Sequence, residues 1–111
     1  MNHFEVRGGE LHCEDVALGA IAEAVATPAY VYSTATLERH FTVFRDAMRG
    51  AGHGEPLIAY AVKANPNLSV LKTLAALGAG ADTVSEGEIR RALAAVLASS
   101  GKRERAPERH R

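Results

Sequence analysis

The order of apolar and polar positions predicts a short strand-and-helix unit at the start of the chain. Residues 4–7, Phe-Glu-Val-Arg, alternate and then meet Gly8-Gly9, which predicts a strand and a turn, with a second strand resuming near Leu11. Residues 16–26 are rich in alanine and predict a helix. Tyr30–Tyr32 is a short run of β-forming residues.

A longer amphipathic helix is predicted next. Ser33 or Thr34 can cap its amino end, and Gly50 and Gly52 mark its carboxyl end. Its apolar residues recur at spacings of four, three and four, which places them on one face. We interpret this stripe as a surface that faces the core rather than as an aromatic binding surface; its members are Leu37, Phe41, Phe44 and Met48.

The apolar run 57–62 ends at a lysine. Its composition predicts a strand buried on both faces, as in a parallel sheet. Asn65 is a good N-cap, and Pro66 suits the first position of a following helix. Lys63 is therefore predicted at the carboxyl end of a strand, the edge at which α/β folds place their chemistry.

A βαβ unit is completed by the residues that follow. The helix that begins at Asn65 is expected to end at Gly78 and Gly80, and Ala81–Val84 is a second apolar strand. Strand, helix and strand in this order predict a right-handed crossover and parallel pairing. The helix carries its apolar face on Leu68, Leu71 and Ala75, widened by Val70, Leu74 and Leu77.

A last helix begins with a capping box, in which Ser85 is followed three residues later by Glu88. Its apolar stripe is formed by Ile89, Ala92, Leu93, Val96 and Leu97. The tail at 101–111 has almost no apolar residues and carries an excess of basic groups, which predicts disorder. Nucleic-acid binding by this tail is the less favoured interpretation.

Composition narrows the class of protein. The 111 residues suffice for one small domain, and 47% of them are hydrophobic, as in globular proteins. The net charge is zero, which implies neither a nucleic-acid nor a membrane partner, and no signal peptide or membrane span is expected. The single cysteine, Cys13, excludes an internal disulfide and fits the cytoplasm, and no histidine spacing indicates a metal site.

Three charged residues have two interpretations each. Lys63 is either a solvated loop residue or an amine that forms a Schiff base, which requires its usual pKa of ~10.4 to be lowered by desolvation or a neighbouring cation. Asp82 is either a solvated residue of a strand edge or a group that orients Lys63 or a cofactor. Glu88 has a sufficient role as a helix cap and is a weaker site candidate.

Three segments carry a resemblance to a known family. Tyr60-Ala61-Val62-Lys63-Ala64-Asn65-Pro66-Asn67 resembles the cofactor-lysine motif of pyridoxal-phosphate enzymes with an alanine-racemase-like barrel. Within this group the chain is most similar to the diaminopimelate decarboxylases, because alanine racemases usually continue differently after Lys-Ala-Asn. The segment 27–32, Thr-Pro-Ala-Tyr-Val-Tyr, resembles the opening segment of the same family, and 77–88 resembles its second strand and turn. The similarity covers residues 24–95.

The resemblance implies a fold, a cofactor and a reaction. The fold is α/β, the N-terminal portion of a (β/α)8 TIM barrel that follows a short strand-and-helix segment. The cofactor is pyridoxal 5'-phosphate, bound covalently by Lys63 and contacted by Ala61 and Asp82, with Glu88 nearby. The implied activity is the decarboxylation of meso-diaminopimelate to L-lysine by a homodimer that takes a small amino-acid substrate.

The same resemblance suggests three regions. Residues 1–32 form an N-terminal segment that packs on a β domain in the family, residues 33–98 form the first part of the cofactor-binding barrel, and residues 99–111 form a basic tail. A whole barrel needs ~250 residues, so a truncated or frame-shifted, inactive fragment is expected. Two alternatives stay open: another barrel-type enzyme, such as an ornithine- or arginine-type decarboxylase or an amino-acid racemase, and a non-catalytic interaction protein.

Overall fold

The computed structural model describes residues 2–52 and 54–99. The first element of the chain is an antiparallel sheet. Strands β1 (Phe4–Arg7), β2 (Glu10–Cys13) and β3 (Val16–Ala17) pair in that order. Gly8 and Gly9 join β1 to β2 with φ of 60° and 82°, a backbone conformation that glycine adopts without strain. The predicted strands and turn are therefore confirmed.

Helix α1 (Leu18–Val25) follows this sheet directly. The predicted helix over 16–26 starts two residues late, because Val16 and Ala17 pair with β2 instead. The β-type run Tyr30–Tyr32 forms no strand in the described part of the chain, so that prediction is wrong. The rings of Tyr30 and Tyr32 stack on each other, with centroids 6.4 Å apart.

Helix α2 (Thr34–Gly50) begins at Ser33, whose Oγ accepts a hydrogen bond from the Thr36 N–H. The alternative cap, Thr34, is the first residue inside the helix. Phe41 is buried, as predicted for the apolar stripe, whereas the Phe44 residue is 54% exposed. The stripe therefore faces the core along only part of its length.

A two-stranded parallel sheet carries the predicted βαβ unit. Strand β4 (Ala59–Ala61) and strand β5 (Gly80–Asp82) flank helix α3 (Leu68–Ala76), and helix α4 (Glu86–Ser99) follows β5. The register pairs Ala59 with Gly80, Tyr60 with Ala81, and Ala61 with Asp82.

The two strands are shorter and more exposed than predicted. Val62 leaves β4 to begin a 3₁₀ turn, and Leu57, which the pattern assigned to this strand, is 82% exposed. Ala59 is exposed as well, so the prediction of a strand buried on both faces is wrong for this structure. The physical reason is that β4 and β5 each have only one hydrogen-bonded neighbour among residues 2–52 and 54–99.

The amino end of α3 also differs from the prediction. The helix begins at Leu68 with Asn67 as its N-cap, and the Asn67 Oδ1 accepts hydrogen bonds from the N–H groups of Ser69 and Val70. Asn65 is not the cap, because its Oδ1 accepts the N–H of Asn67 instead. The side chain of Asn65 thus holds the backbone of Asn67 in place directly before the helix.

Two apolar clusters hold the helices against the parallel sheet. Phe41, Val70 and Leu74 form one cluster, and Val62, Leu71 and Ala95 form the other. The predicted stripe of α4 contributes less than expected, since the buried residue of this helix is Ala95. The larger members of the stripe stay about half exposed: Ile89 (47%), Leu93 (55%) and Val96 (49%).

The amino-terminal sheet is attached to the start of α2 by polar contacts. The Glu14 carboxylate accepts hydrogen bonds from the Ser33 hydroxyl, at 2.7 Å, and from the Ala35 N–H, at 3.0 Å. His3 Nδ1 lies 3.1 Å from the Thr36 hydroxyl oxygen, and that hydroxyl donates to the backbone carbonyl of Asn2. These contacts join the strands to the first turn of α2.

Two predictions concern the end of the chain and membranes. Ser99 is the last residue of α4, and the rest of the predicted basic tail, 100–111, lies outside the described residues. Among the helices that the structure describes, none has the length and apolar character needed to cross a membrane.

Candidate functional site

The candidate site is built around a short turn that carries a lysine. We call residues Val62–Ala64, a single 3₁₀ turn directly after β4, the lysine turn. A hydrogen bond of 3.2 Å from the Asn65 N–H to the Val62 carbonyl closes it. Val62 is fully buried, so its side chain fixes the start of the turn in the core. Lys63 therefore lies at the carboxyl end of the strand, as the sequence predicts.

The side chain of Lys63 is exposed. Its amine makes no hydrogen bond or ion pair with the described residues. The desolvation expected from the strand end is thus not supplied by this part of the chain.

Asp82 and Ala61 occupy the same edge of the sheet. Each is the last residue of its strand, and the two are paired in the parallel register. Lys63 follows Ala61 by two residues, so the structure brings all three to neighbouring strand ends. No ion pair joins Asp82 to Lys63 in the described structure, and Asp82 is exposed.

Glu88 is engaged in capping α4. Its Oε1 accepts the Val84 N–H at 2.8 Å, and its own N–H donates to the Ser85 Oγ at 3.2 Å. This pair of hydrogen bonds confirms the predicted capping box. It differs from the usual arrangement in one respect: the Glu88 carboxylate accepts the N–H of Val84 instead of the N–H of Ser85. The capping role accounts for Glu88 in the described structure.

Tyr60 is a site residue that the sequence analysis missed. Its hydroxyl donates a 3.2 Å hydrogen bond to the Asn65 carbonyl, immediately beyond the lysine turn. Burial raises the pKa of the Tyr60 hydroxyl above its ordinary value, so this group stays a neutral donor across the physiological range. A tyrosine three residues before the lysine, inside an apolar run, is the signal that could have identified it.

A second contact outside the predicted set also supports this edge. The Arg91 guanidinium, on α4, donates to the Pro66 carbonyl at 3.4 Å. This bond connects α4 to the segment between the lysine turn and α3. The backbone that follows Lys63 is therefore held from two directions, by β4 and by α4.

These residues suit covalent attachment of an aldehyde cofactor. A lysine with a fixed backbone and an unpaired amine stands at the open edge of a parallel sheet, with a carboxylate at the end of the neighbouring strand. The arrangement offers a nucleophilic nitrogen and an acid that can hold or orient a protonated group. No group of three or more histidine, cysteine, aspartate or glutamate side chains is placed to bind a metal ion among residues 2–52 and 54–99.

Comparison with known proteins identifies the class to which this arrangement belongs. Residues 34–102 match the family described as pyridoxal-dependent decarboxylase, pyridoxal binding domain. This region is more than half of the chain, and the chain belongs to that family. The predicted cofactor, pyridoxal phosphate, is thereby confirmed at the level of the family.

The similar proteins within this class are diaminopimelate decarboxylases. The enzyme of Pseudomonas fluorescens is 56% identical over 95 residues, which are 86% of this chain and 22% of the relative. The Pseudomonas aeruginosa enzyme is 52% identical over 95 residues, which are again 86% of this chain and 22% of the relative. The chain therefore spans about 22% of the length of these relatives.

The fold of this chain also matches part of a solved diaminopimelate decarboxylase structure. Diaminopimelate decarboxylase of M. jannaschii, crystallised in complex with L-lysine, is 32% identical and superposes with a TM-score of 0.78. The match covers 85% of this chain and 22% of that one. The fold predicted from the resemblance, the N-terminal part of a larger α/β enzyme, is confirmed.

Proposed function

We propose that this chain is the cofactor-lysine segment of a diaminopimelate decarboxylase, which converts meso-2,6-diaminopimelate to L-lysine and carbon dioxide. The observation that carries the proposal is the position of Lys63: exposed, unpaired and at the strand end within the matched pyridoxal-binding domain. The relatives support the choice of substrate, because the similar proteins named above are diaminopimelate decarboxylases.

Each proposed residue has a role at the edge of the sheet. Lys63 holds the cofactor covalently through its Nζ, and the backbone of Ala61 forms the adjoining strand end. Asp82 orients the lysine amine or the cofactor ring from the neighbouring strand, while Glu88 acts mainly through the cap of α4. When bound, pyridoxal phosphate supplies a ring that takes up the electron pair left by the departing carbon dioxide.

The test uses a chimera in which residues 2–99 replace the corresponding segment of the Pseudomonas fluorescens enzyme. We expect borohydride reduction in the presence of pyridoxal phosphate, followed by peptide mapping, to find the cofactor on Lys63. Lys72, an exposed lysine of α3, is the internal control. A label on Lys72 and none on Lys63 would contradict the assignment.

Substrate choice is tested in the same chimera. We expect carbon dioxide release from meso-diaminopimelate and not from ornithine or arginine. Release from ornithine or arginine alone would favour the broader decarboxylase class over the proposed enzyme.

The proposal extends to organisation and assembly. We infer that residues 1–32 form a separate N-terminal segment and that 33–98 belong to the first part of the barrel. The start of α2 after Ser33 supports the first boundary. We also propose that the enzyme is a cytoplasmic homodimer that acts on a small amino acid and has no nucleic-acid or membrane partner. Size-exclusion measurement of the chimera tests whether it is a dimer.

A further inference from the structure

We propose that Tyr60 is a positioning residue that sets the direction of Lys63. The inference rests on the proposed function of Lys63 and concerns how the fold holds its amine. Tyr60 lies on β4, three residues before the lysine, and its ring packs against both apolar clusters. The residue thus connects the core of the molecule to the lysine turn.

The lysine turn is held at its two ends by different means. At its start, the Val62 side chain is fully buried between α3 and α4. Just beyond its end, the Tyr60 hydroxyl donates to the Asn65 carbonyl at 3.2 Å. Tyr60 lies on β4 and Val62 is the first residue of the turn, so two side chains that flank Ala61 hold the two ends of the lysine turn.

The side chain of Lys63 is exposed, and no polar contact with the described residues directs it. Its amine makes no hydrogen bond or ion pair with the described residues. The path of the backbone through the lysine turn therefore determines where the amine can reach. A covalent bond to a cofactor that is held elsewhere forms efficiently only when the amine is presented in a narrow range of directions.

Removal of the hydroxyl should loosen the far end of the turn without disturbing the core. Tyr60→Phe keeps the ring and its packing and deletes only the hydrogen bond to Asn65. The Asn65 N–H bond to Val62 remains, so the turn still forms but samples more orientations. We expect the apparent dissociation constant for pyridoxal phosphate to rise about fivefold, the factor that corresponds to one typical hydrogen bond.

The experiment uses the chimera and two readouts besides turnover. Titration with pyridoxal phosphate, followed by absorbance, gives the dissociation constant, and a short borohydride pulse gives the fraction of bound cofactor fixed to Lys63. Tyr30→Phe is the matched control, since Tyr30 is 89% exposed and its hydroxyl makes no hydrogen bond within the described part of the chain. This control should leave both readouts unchanged.

A second variant separates positioning from stability. Tyr60→Leu also lacks the hydroxyl but loses ring packing, so it should unfold at a lower temperature than Tyr60→Phe. If Tyr60 positions the lysine, both variants show the same loss of fixation at Lys63 at a temperature where both are folded. A defect in proportion to the loss of stability would overturn the inference.

The outcomes also distinguish this inference from the proposed function. Labelling of Lys63 in the parent chimera, with unchanged binding and fixation in Tyr60→Phe, overturns the role of Tyr60 alone. An absence of label on Lys63 in the parent chimera overturns both. Reduced fixation in Tyr60→Phe, with Tyr30→Phe unchanged, supports the positioning role.

Discussion

Lys63 has a fixed backbone and a free side chain. The lysine turn is closed by a backbone hydrogen bond and begins at the buried Val62, whereas the amine has no partner in the described structure. Such a division suits a group that must present one nitrogen to an incoming molecule.

Substitution of Lys63 should abolish turnover in the chimera. Lys63→Ala removes the nitrogen, and Lys63→Arg should fail equally, because a guanidinium stays protonated and cannot form an imine. We expect the rate of carbon dioxide release to fall by roughly three orders of magnitude or more in both variants. Lys72→Ala is the control, and a Lys63→Arg enzyme with near-parent activity would disprove the covalent role.

Asp82 should affect the reaction more than the fold. If its carboxylate orients the amine or the cofactor, Asp82→Asn should lower kcat of the chimera about tenfold, as expected for one charge-assisted hydrogen bond. The exposed position at the strand end predicts little change in the unfolding temperature. Asp46→Asn, a change to an exposed acid of α2, is the control, and a parent-like rate for Asp82→Asn would remove Asp82 from the site.

At the scale of elements, the start of α3 depends on Asn67. The Asn67 Oδ1 accepts hydrogen bonds from two backbone N–H groups of the first turn. The Asn65 Oδ1 accepts one, from the N–H of Asn67. Asn67→Ala should therefore lower the free energy of unfolding of the chimera by about 1 kcal/mol. Denaturant unfolding measures this loss, and a larger loss for Asn65→Ala than for Asn67→Ala would return the cap to the position that the sequence favoured.

The attachment of the amino-terminal sheet to α2 should depend on pH. The hydrogen bond from the Ala35 N–H, then that from the Ser33 hydroxyl, and the nearby charge of His3 lower the pKa of the Glu14 carboxyl below its ordinary value. A lowered pKa means that the contribution of Glu14 is complete above its unfolded pKa of about 4.3 and is lost as the pH falls through the folded value. The protection of the β1 and β2 amides against hydrogen exchange, relative to the intrinsic rate at each pH, should therefore fall in acid.

The matched variant for this pH effect is Glu14→Gln. It keeps an acceptor for the Ala35 N–H but cannot titrate, so part of the acid dependence should disappear. Equal acid sensitivity in the parent and in Glu14→Gln would show that Glu14 does not hold the sheet to α2.

The elements were predictable where one local signal determines the backbone. The Gly8-Gly9 turn, a cap at Ser33 or Thr34 and the Ser85 capping box depend on neighbouring residues alone; all three are present, with the cap at Ser33. The predicted N-cap at Asn65 was wrong, because Asn67 has the same side chain and the lysine turn places Asn67, not Asn65, directly before the helix.

The parts that failed depend on partners distant in sequence. Tyr30–Tyr32 has the composition of a strand, but no neighbouring strand pairs with it among the described residues. Tyr60 was missed for a different reason: its hydroxyl bonds a backbone carbonyl only five residues further on, across a turn whose path composition does not reveal. The position of Lys63 was predictable because a strand end and a motif indicated the same residue.

At the scale of the molecule, one side of α4 is left uncovered. A groove of 210 Å³ lies between this helix, α3 and the parallel sheet, and its lining includes Leu71, Leu93 and Val96. Leu93 and Val96 are about half exposed. Apolar surface of this kind promotes association when nothing covers it.

A polypeptide of residues 1–111 expressed alone should therefore associate and lack decarboxylase activity. Within residues 2–52 and 54–99 the two parallel strands each have one unpaired edge, which adds a second route to association. We expect sizing to show higher-order species and Leu93→Arg to shift the distribution toward monomer. A monodisperse species with cooperative unfolding and measurable carbon dioxide release would contradict this expectation.

The pairing of Ala61 with Asp82 decides where the chain tolerates a change of length. Successive side chains of a strand face opposite sides, so one residue inserted within Gly80–Asp82 would move Asp82 to the far face of the sheet. An insertion near Gly54, in the exposed loop before β4, would leave this register untouched. Natural or engineered variants of this segment should therefore differ in length at the loop and keep the spacing within β4, the lysine turn and β5 constant.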